Sequence, residues 1–381
     1  MTTPSGEEMR RMREKYRNAP AEFVDRPPMQ TTPIVDVPNH PPVADPTASR
    51  AVAAAQWRPG AHRGGIVADT AAPLPPGETT RSTRIGVSTE GPQRGWRAKA
   101  NRMLGLRLAK SRDEIEYDRR VAQIQRTLRV PKRIAVLSGK GAAGKTSVSL
   151  NLGATIASQQ RGMKVVALSI DPLGNISDRV RPVNSQAASS VMSLAADENL
   201  NRASDVSSYL QTDKSGLRVL GASTADGAPF LTPTALERAL NVLSDVYDLS
   251  IIDFGLNIDS PVYHTGLSQS DQLVLAAATS ADSIDELHTL IDTLKRFGGK
   301  YVDLLHGAVV VFCQTRPGKG HIDVDAERTR IVNSYGTPVV TIPWDEHISE
   351  GGPMSLELLD EDTRLPYVWL AAEVMSRLPI D

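Results

Sequence analysis

One stretch of this chain leaves little freedom of fold. Residues 133–138, RIAVLS, form a short apolar run that breaks at once into Gly139, Lys140, Gly141, Ala142, Ala143, Gly144, Lys145, Thr146 and Ser147, then resumes as the proline-free VSLNLGATIASQQ. This is GxxxxGK[ST] in the order strand, glycine loop, helix. Glycines at these places let backbone N–H groups turn inward, and the N-terminus of the following helix adds the positive end of its dipole, so the loop reads as a cradle for phosphate oxygens. Lys145 supplies charge to the β and γ phosphates, and the Thr146 hydroxyl is a ligand for Mg²⁺.

The rest of the C-terminal two thirds alternates short apolar runs with helix-length segments. Buried strands are expected at RIAVLS (133–138), KVVALSI (164–170), LRVLGA (217–222), DLSIID (248–253), DQLVLAAA (271–278), GAVVVFC (307–313) and TPVVTI (337–342). Helices are expected from Ala281 to Phe297 and after Thr232, whose Thr-Pro pair suits an N-cap and first turn. Strands apolar on both faces and separated by helices predict an α/β fold: a mainly parallel twisted sheet with helices on both faces.

The N-terminal third is of another kind. Of the 26 prolines, 14 fall in residues 1–94 among Gly, Ser, Thr and Ala, a composition that cannot bury enough apolar surface to offset chain entropy, so a disordered tail is expected. Within it Met9, Met12 and Tyr16 stand at helical spacing and could form a short docking helix. Residues 95–132 make a basic helical segment; over 95–133 there are 12 Lys and Arg against 4 Asp and Glu. Tyr117, Val121, Ile124 and Leu128 recur there as one apolar stripe. That stripe packs on the following domain, or else the segment offers a basic surface to DNA, anionic lipid or an acidic protein. The third region, 133–381, is the nucleotide-binding domain.

Composition removes several classes. The lone cysteine, Cys313, can build neither an internal disulfide, nor a four-thiolate zinc site, nor an iron–sulfur cluster. The first residues, MTTPSGEEMRRMREKYR, carry charges where a secretory signal would be apolar, and no run of 18 apolar residues occurs, so no transmembrane segment is expected and the location reads as cytoplasmic.

The second lysine of the loop narrows the reading. KGAAGKT (140–146) resembles the deviant phosphate loop of the ParA and MinD family of dimeric P-loop ATPases. That resemblance implies ATP and Mg²⁺ as ligands and an ATP-dependent homodimer in which Lys140 reaches the partner's phosphates. SIDPLGN (169–175) is similar to the family's first switch, which gives Asp171 the task of positioning the attacking water. Asp253 takes the place of the aspartate that holds Mg²⁺. IPWD (342–345) resembles a segment bordering the adenine pocket, which brings in Pro343 and Asp345, and Cys313 occupies the strand end where an adenine-contacting asparagine is usual. Together Lys140, Lys145 and Asp171 form the expected catalytic set.

Ser169 stands where the family usually has an aspartate, and Ala142 replaces a glycine, so the turnover rate is left open. GWRAKANRMLGLRLAKS, CQTRPG (313–318) and IPWDEHISEGGP are similar to a narrower group, the actinobacterial MinD-like ATPases of type VII (ESX) secretion, of the EspI kind. The resemblance implies an ATPase switch with a protein partner in secretion machinery, recruited peripherally to a membrane-bound machine. Two alternatives stay open: a partitioning ATPase binding DNA through residues 95–133, and a nucleotide-dependent regulator or scaffold with little hydrolysis.

Overall fold

Ser111 opens the first helix by accepting the Glu114 N–H on its hydroxyl at 3.1 Å, with Asp113 and Glu114 in the first turn complementing the helix dipole. This is α1, Arg112–Ile124. Its stripe is spent internally. Ile124 is fully buried, and Tyr117, Val121 and Leu128, the last beyond the helix end, rest on the same core. The computed structural model describes residues 110–172, 174, 176–183, 189–222, 230–318 and 322–379. The tail 1–94 with its expected docking helix, and residues 95–109, lie outside that set.

The chain then runs through β1 (Lys132–Leu137), α2 (Lys145–Gln159), β2 (Val165–Ser169) and a 3-10 turn (Ile176–Arg179). Next come α3 (Val191–Ala196), α4 (Ala203–Ser207), β3 (Gln211–Thr212), β4 (Arg218–Leu220), α5 (Pro233–Ser244) and β5 (Leu249–Asp253). They are followed by α6 (Pro261–Ser268), β6 (Gln272–Ala278), α7 (Ala281–Phe297), α8 (Lys300–Gly307) and β7 (Val309–Cys313). The described chain closes with α9 (Val324–Tyr335), β8 (Val339–Ile342), α10 (Glu346–Ser349) and α11 (Glu361–Arg377). Thr232 caps α5 by accepting the Ala235 N–H, and Pro233 fills its first turn, as the Thr-Pro pair predicts.

The strands form one eight-stranded sheet in the order β3-β4-β2-β5-β1-β6-β7-β8. Every pairing is parallel except β3 with β4. All seven expected strands are present. The two-residue β3, too short to show a period, is an antiparallel edge that the sequence does not announce. Strand residues alternate between two apolar layers. Ile134 and Val136 of β1 join the layer under α2, α11 and α1, whereas Ala135 and Leu137 join the layer under α5, α6 and α7. A strand buried on both faces must be apolar throughout, which is why these runs lack the alternation of a half-exposed sheet.

Parallel order puts the carboxyl ends of β1, β2, β5 and β7 along one edge, and loops leaving such an edge form the crevice of open α/β sheets. The C-terminal α11 packs its Tyr367, Leu370, Ala371, Val374 and Met375 into the first layer. Among the described residues no helix is long and apolar enough to cross a membrane.

Candidate nucleotide site

Beyond Leu137 the chain turns sharply. The Ser138 hydroxyl donates to the carbonyl of Lys140 at 3.0 Å, Gly144 takes φ 85° as the residue before α2, and Ala142 takes φ 59°. Among the described residues Ala142 is the only non-glycine with positive φ, so the alanine occupies a conformation that favours glycine. A Cβ on Gly144 would lie 2.9 Å from the Cys313 sulfur, and one on Gly139 would lie 2.7 Å from the carbonyl carbon of Glu286 in α7. The loop is therefore held between β7 and α7. None of the backbone N–H groups from Gly141 to Thr146 donates a hydrogen bond among the described residues, outside or inside the regular elements they adjoin. Unpaired donors gathered at a helix N-terminus are what an anion satisfies.

The charges converge on β5. Asp253, 1% exposed, receives the Thr146 hydroxyl at 2.8 Å, the Ser149 hydroxyl at 3.2 Å and the Lys145 ammonium at 3.3 Å. Burial pushes the Asp253 carboxyl above its usual range, while the nearby Lys145 charge and the three hydrogen bonds pull it back. Asp171 approaches the same lysine, with one carboxylate oxygen 4.0 Å from the Lys145 ammonium. Ser169 pairs in register with Asp253, is fully buried, and accepts the N–H of Asp171 on its hydroxyl at 3.2 Å, shaping the start of the switch loop.

The donor set fits Mg²⁺: a hydroxyl and a carboxylate, both hard oxygen ligands, adjoin the cradle. Among the described residues no group of three or more His, Cys, Asp or Glu could hold a metal unaided, so an ion there would complete its shell with water and phosphate oxygens.

Residues of the phosphate loop, Asp171 and residues that follow β8 line one cleft of about 450 Å³, with Lys140 to Ser147 on one wall and Asp171 beside them. Pro343 and Asp345 line its far side. Both carboxylate oxygens of Asp345 are occupied by backbone: one accepts Ile348 N–H at 3.2 Å, the other Asp360 N–H at 2.9 Å. Cys313 faces Gly144 from below, and burial raises its thiol to about 12. Lys140 pairs its ammonium with Asp282 near the start of α7. Gln314, from the CQTRPG segment, borders the cleft as well, and so do Arg179, Leu256 and Tyr367, which no local motif announces. A larger groove of about 620 Å³, between α1, the end of α2 and the start of α11, contains none of the loop or switch residues. We place the chemistry in the smaller cleft, because only there do the unpaired donors and paired charges meet.

Comparison with known proteins agrees with this geometry. The AAA domain family matches residues 131–305. Over 285 residues the chain is 32% identical to the ESX-1 secretion-associated protein EspI of Mycobacterium tuberculosis, an alignment covering 74% of this chain and 42% of EspI. The chain thus spans less than half the length of that relative. It is also 26% identical over 168 residues to the sporulation initiation inhibitor protein Soj of Bacillus subtilis, covering 43% of this chain and 65% of Soj. A ParA family ATPase from Chlorobium tepidum shares the fold with a TM-score of 0.52 at 19% identity, over 64% of this chain and 98% of that one. With its phosphate loop, its parallel sheet and its likeness to EspI, the chain has the ParA/MinD-like P-loop fold and is related to EspI.

Proposed function

We propose that the chain is an ATP-dependent switch: ATP and Mg²⁺ bind in the cleft, two copies close face to face, and hydrolysis reopens them. The observation that carries this reading is the set of unpaired N–H donors from Gly141 to Thr146, set against Lys145 and the Thr146–Asp253 pair. In it the loop from Gly139 to Ser147 holds the phosphates, and Lys145 neutralises the β and γ oxygens. Thr146 and Asp253 hold Mg²⁺, which supplies further charge neutralisation when bound. Asp171 orients water for attack on the γ phosphorus, so that the bond to the bridging oxygen breaks and ADP and phosphate leave. Lys140 turns to the nucleotide of a second copy. Cys313, Pro343 and Asp345 shape the base side, Asp345 through the backbone it fixes rather than by a spare oxygen.

Likeness to a secretion-associated protein supports a protein partner in type VII secretion machinery. The same proposal takes residues 1–94 as a tail, 95–132 as a basic segment, 133–381 as the nucleotide domain, and a cytoplasmic location. DNA binding through 95–133 is weakened as a reading by two of its arginines. Arg120 is paired with Glu116 and Glu373, and Arg126 donates to the Met375 carbonyl.

A slowly hydrolysing scaffold remains as the second reading, favoured by the buried Ser169 in the first switch. Phosphate release and gel filtration of the full chain, each with and without ATP and Mg²⁺, test both. Turnover with ATP-dependent dimerisation supports the switch, dimerisation without turnover supports the scaffold, and no response to ATP refutes the two together.

A further inference from the structure

Arg179 ends the 3-10 turn that follows the first switch, and two different bonds fix it. Its Nε donates to the carbonyl of Gly352 at 3.0 Å, while its own carbonyl accepts the Met354 N–H at 2.7 Å and the neighbouring Val180 forms a parallel bridge with Met354. The side chain is half-buried and borders the cleft that holds Lys145 and the unpaired N–H groups of the loop. No carboxylate among the described residues stands within ion-pair distance of it. Burial alone accounts for the lowering of its pKa, with no neighbouring charge contributing.

A guanidinium does not shed its proton, so it keeps its charge when buried, and a half-buried charge without a counter-ion is costly until an anion arrives. With Nε already used, the two Nη groups remain as donors in a fixed plane, the geometry that suits phosphate oxygens.

We propose that Arg179 is a nucleotide-contacting residue, donating its Nη groups to anionic oxygens of the triphosphate bound in the cleft. The inference rests on the nucleotide reading above and adds to it a cation from outside the phosphate loop. Because the same residue is stitched to Gly352 and Met354, phosphate capture also ties the switch segment to the base-side loop.

The test is calorimetry on the full chain with Mg²⁺, using ATP and, separately, inorganic tripolyphosphate, for the native protein, Arg179→Gln and Arg179→Lys. Loss of charge-assisted hydrogen bonds predicts about 10- to 100-fold weaker binding of both ligands to Arg179→Gln. The loss for Arg179→Lys is smaller, since lysine offers a point charge without the fork. Unchanged affinity in Arg179→Gln overturns the proposal. So does a loss confined to ATP, which would assign the residue to the base or ribose. Should Arg179→Gln not fold, Arg179→Lys decides: weakening of both ligands supports the contact, and unaltered binding of either refutes it. If the native chain takes up neither ligand, the nucleotide reading itself falls and Arg179 with it; native binding that Arg179→Gln preserves sinks the arginine alone.

Discussion

Gly139→Ala is the sharpest perturbation of the cradle. The added Cβ would lie 2.7 Å from the Glu286 carbonyl carbon and closer still to its oxygen, about 0.7 Å inside the 3.4 Å at which ordinary contact begins. Both obstructing atoms are backbone of α7, and α7 is anchored by Ile284, Leu287, Leu290, Ile291 and Leu294, all buried. The loop must therefore move rather than the helix, carrying its N–H groups with it. Overpacking of this kind costs about 1–3 kcal/mol, or about 2–4 °C in Tm for each kcal/mol in a chain of this size. At a nucleotide concentration of about 100 Kd the native protein gains about 2.7 kcal/mol from ligand, and a tenfold weaker cradle keeps only about 1.4 kcal/mol of it. Urea unfolding with and without ATP and Mg²⁺ reads both effects. A Gly139→Ala protein with native midpoints in both conditions would refute the reasoning, because the loop would then be free to accommodate a side chain.

Three further outcomes follow from the same contacts. The Asp282 carboxyl, held down first by its hydrogen bond from Lys140 and then by that from Ser280, titrates at about 2. Its contribution to stability is thus present above the unfolded aspartate value and disappears as pH falls through about 2, and in Lys140→Met its NMR titration shifts upward; an unmoved midpoint would disprove the pairing. Cys313, with its thiol raised to about 12 by burial, should react slowly with a disulfide reagent at neutral pH, and more slowly still with ATP and Mg²⁺ holding the loop over it, so rapid labelling that ATP leaves unchanged counts against its place beside Gly144. Ile124→Ala should cost about 2–5 kcal/mol in denaturant unfolding, since Ile124 is fully buried where α1 meets the core; a loss under about 0.5 kcal/mol would detach α1 from the sheet.

Short-range pattern carried much of the architecture. The Thr232–Pro233 cap, the helix from Ala281 to Phe297 and the runs that became β1, β2, β4 to β8 are legible because each element's signal lies within its own few residues. Strand ends were less so: β4 is confined to Arg218–Leu220 and β7 begins at Val309, because α8 runs on to Gly307. The use of the Tyr117–Leu128 stripe was open between a core and a foreign surface, since a stripe shows that a partner exists and not which one.

By itself, the order of residues determined a strand, a glycine loop and a helix N-terminus able to hold phosphate, because that cradle is built from contiguous backbone. Only the folded chain decided what surrounds it. Asp253 meets Thr146 from 107 residues away, Lys140 meets Asp282 from 142, and Arg179 borders the cleft with no motif to mark it. These groups are brought together by the parallel register of the sheet and the crossovers between its strands, which are properties of the whole assembly of elements rather than of any one segment.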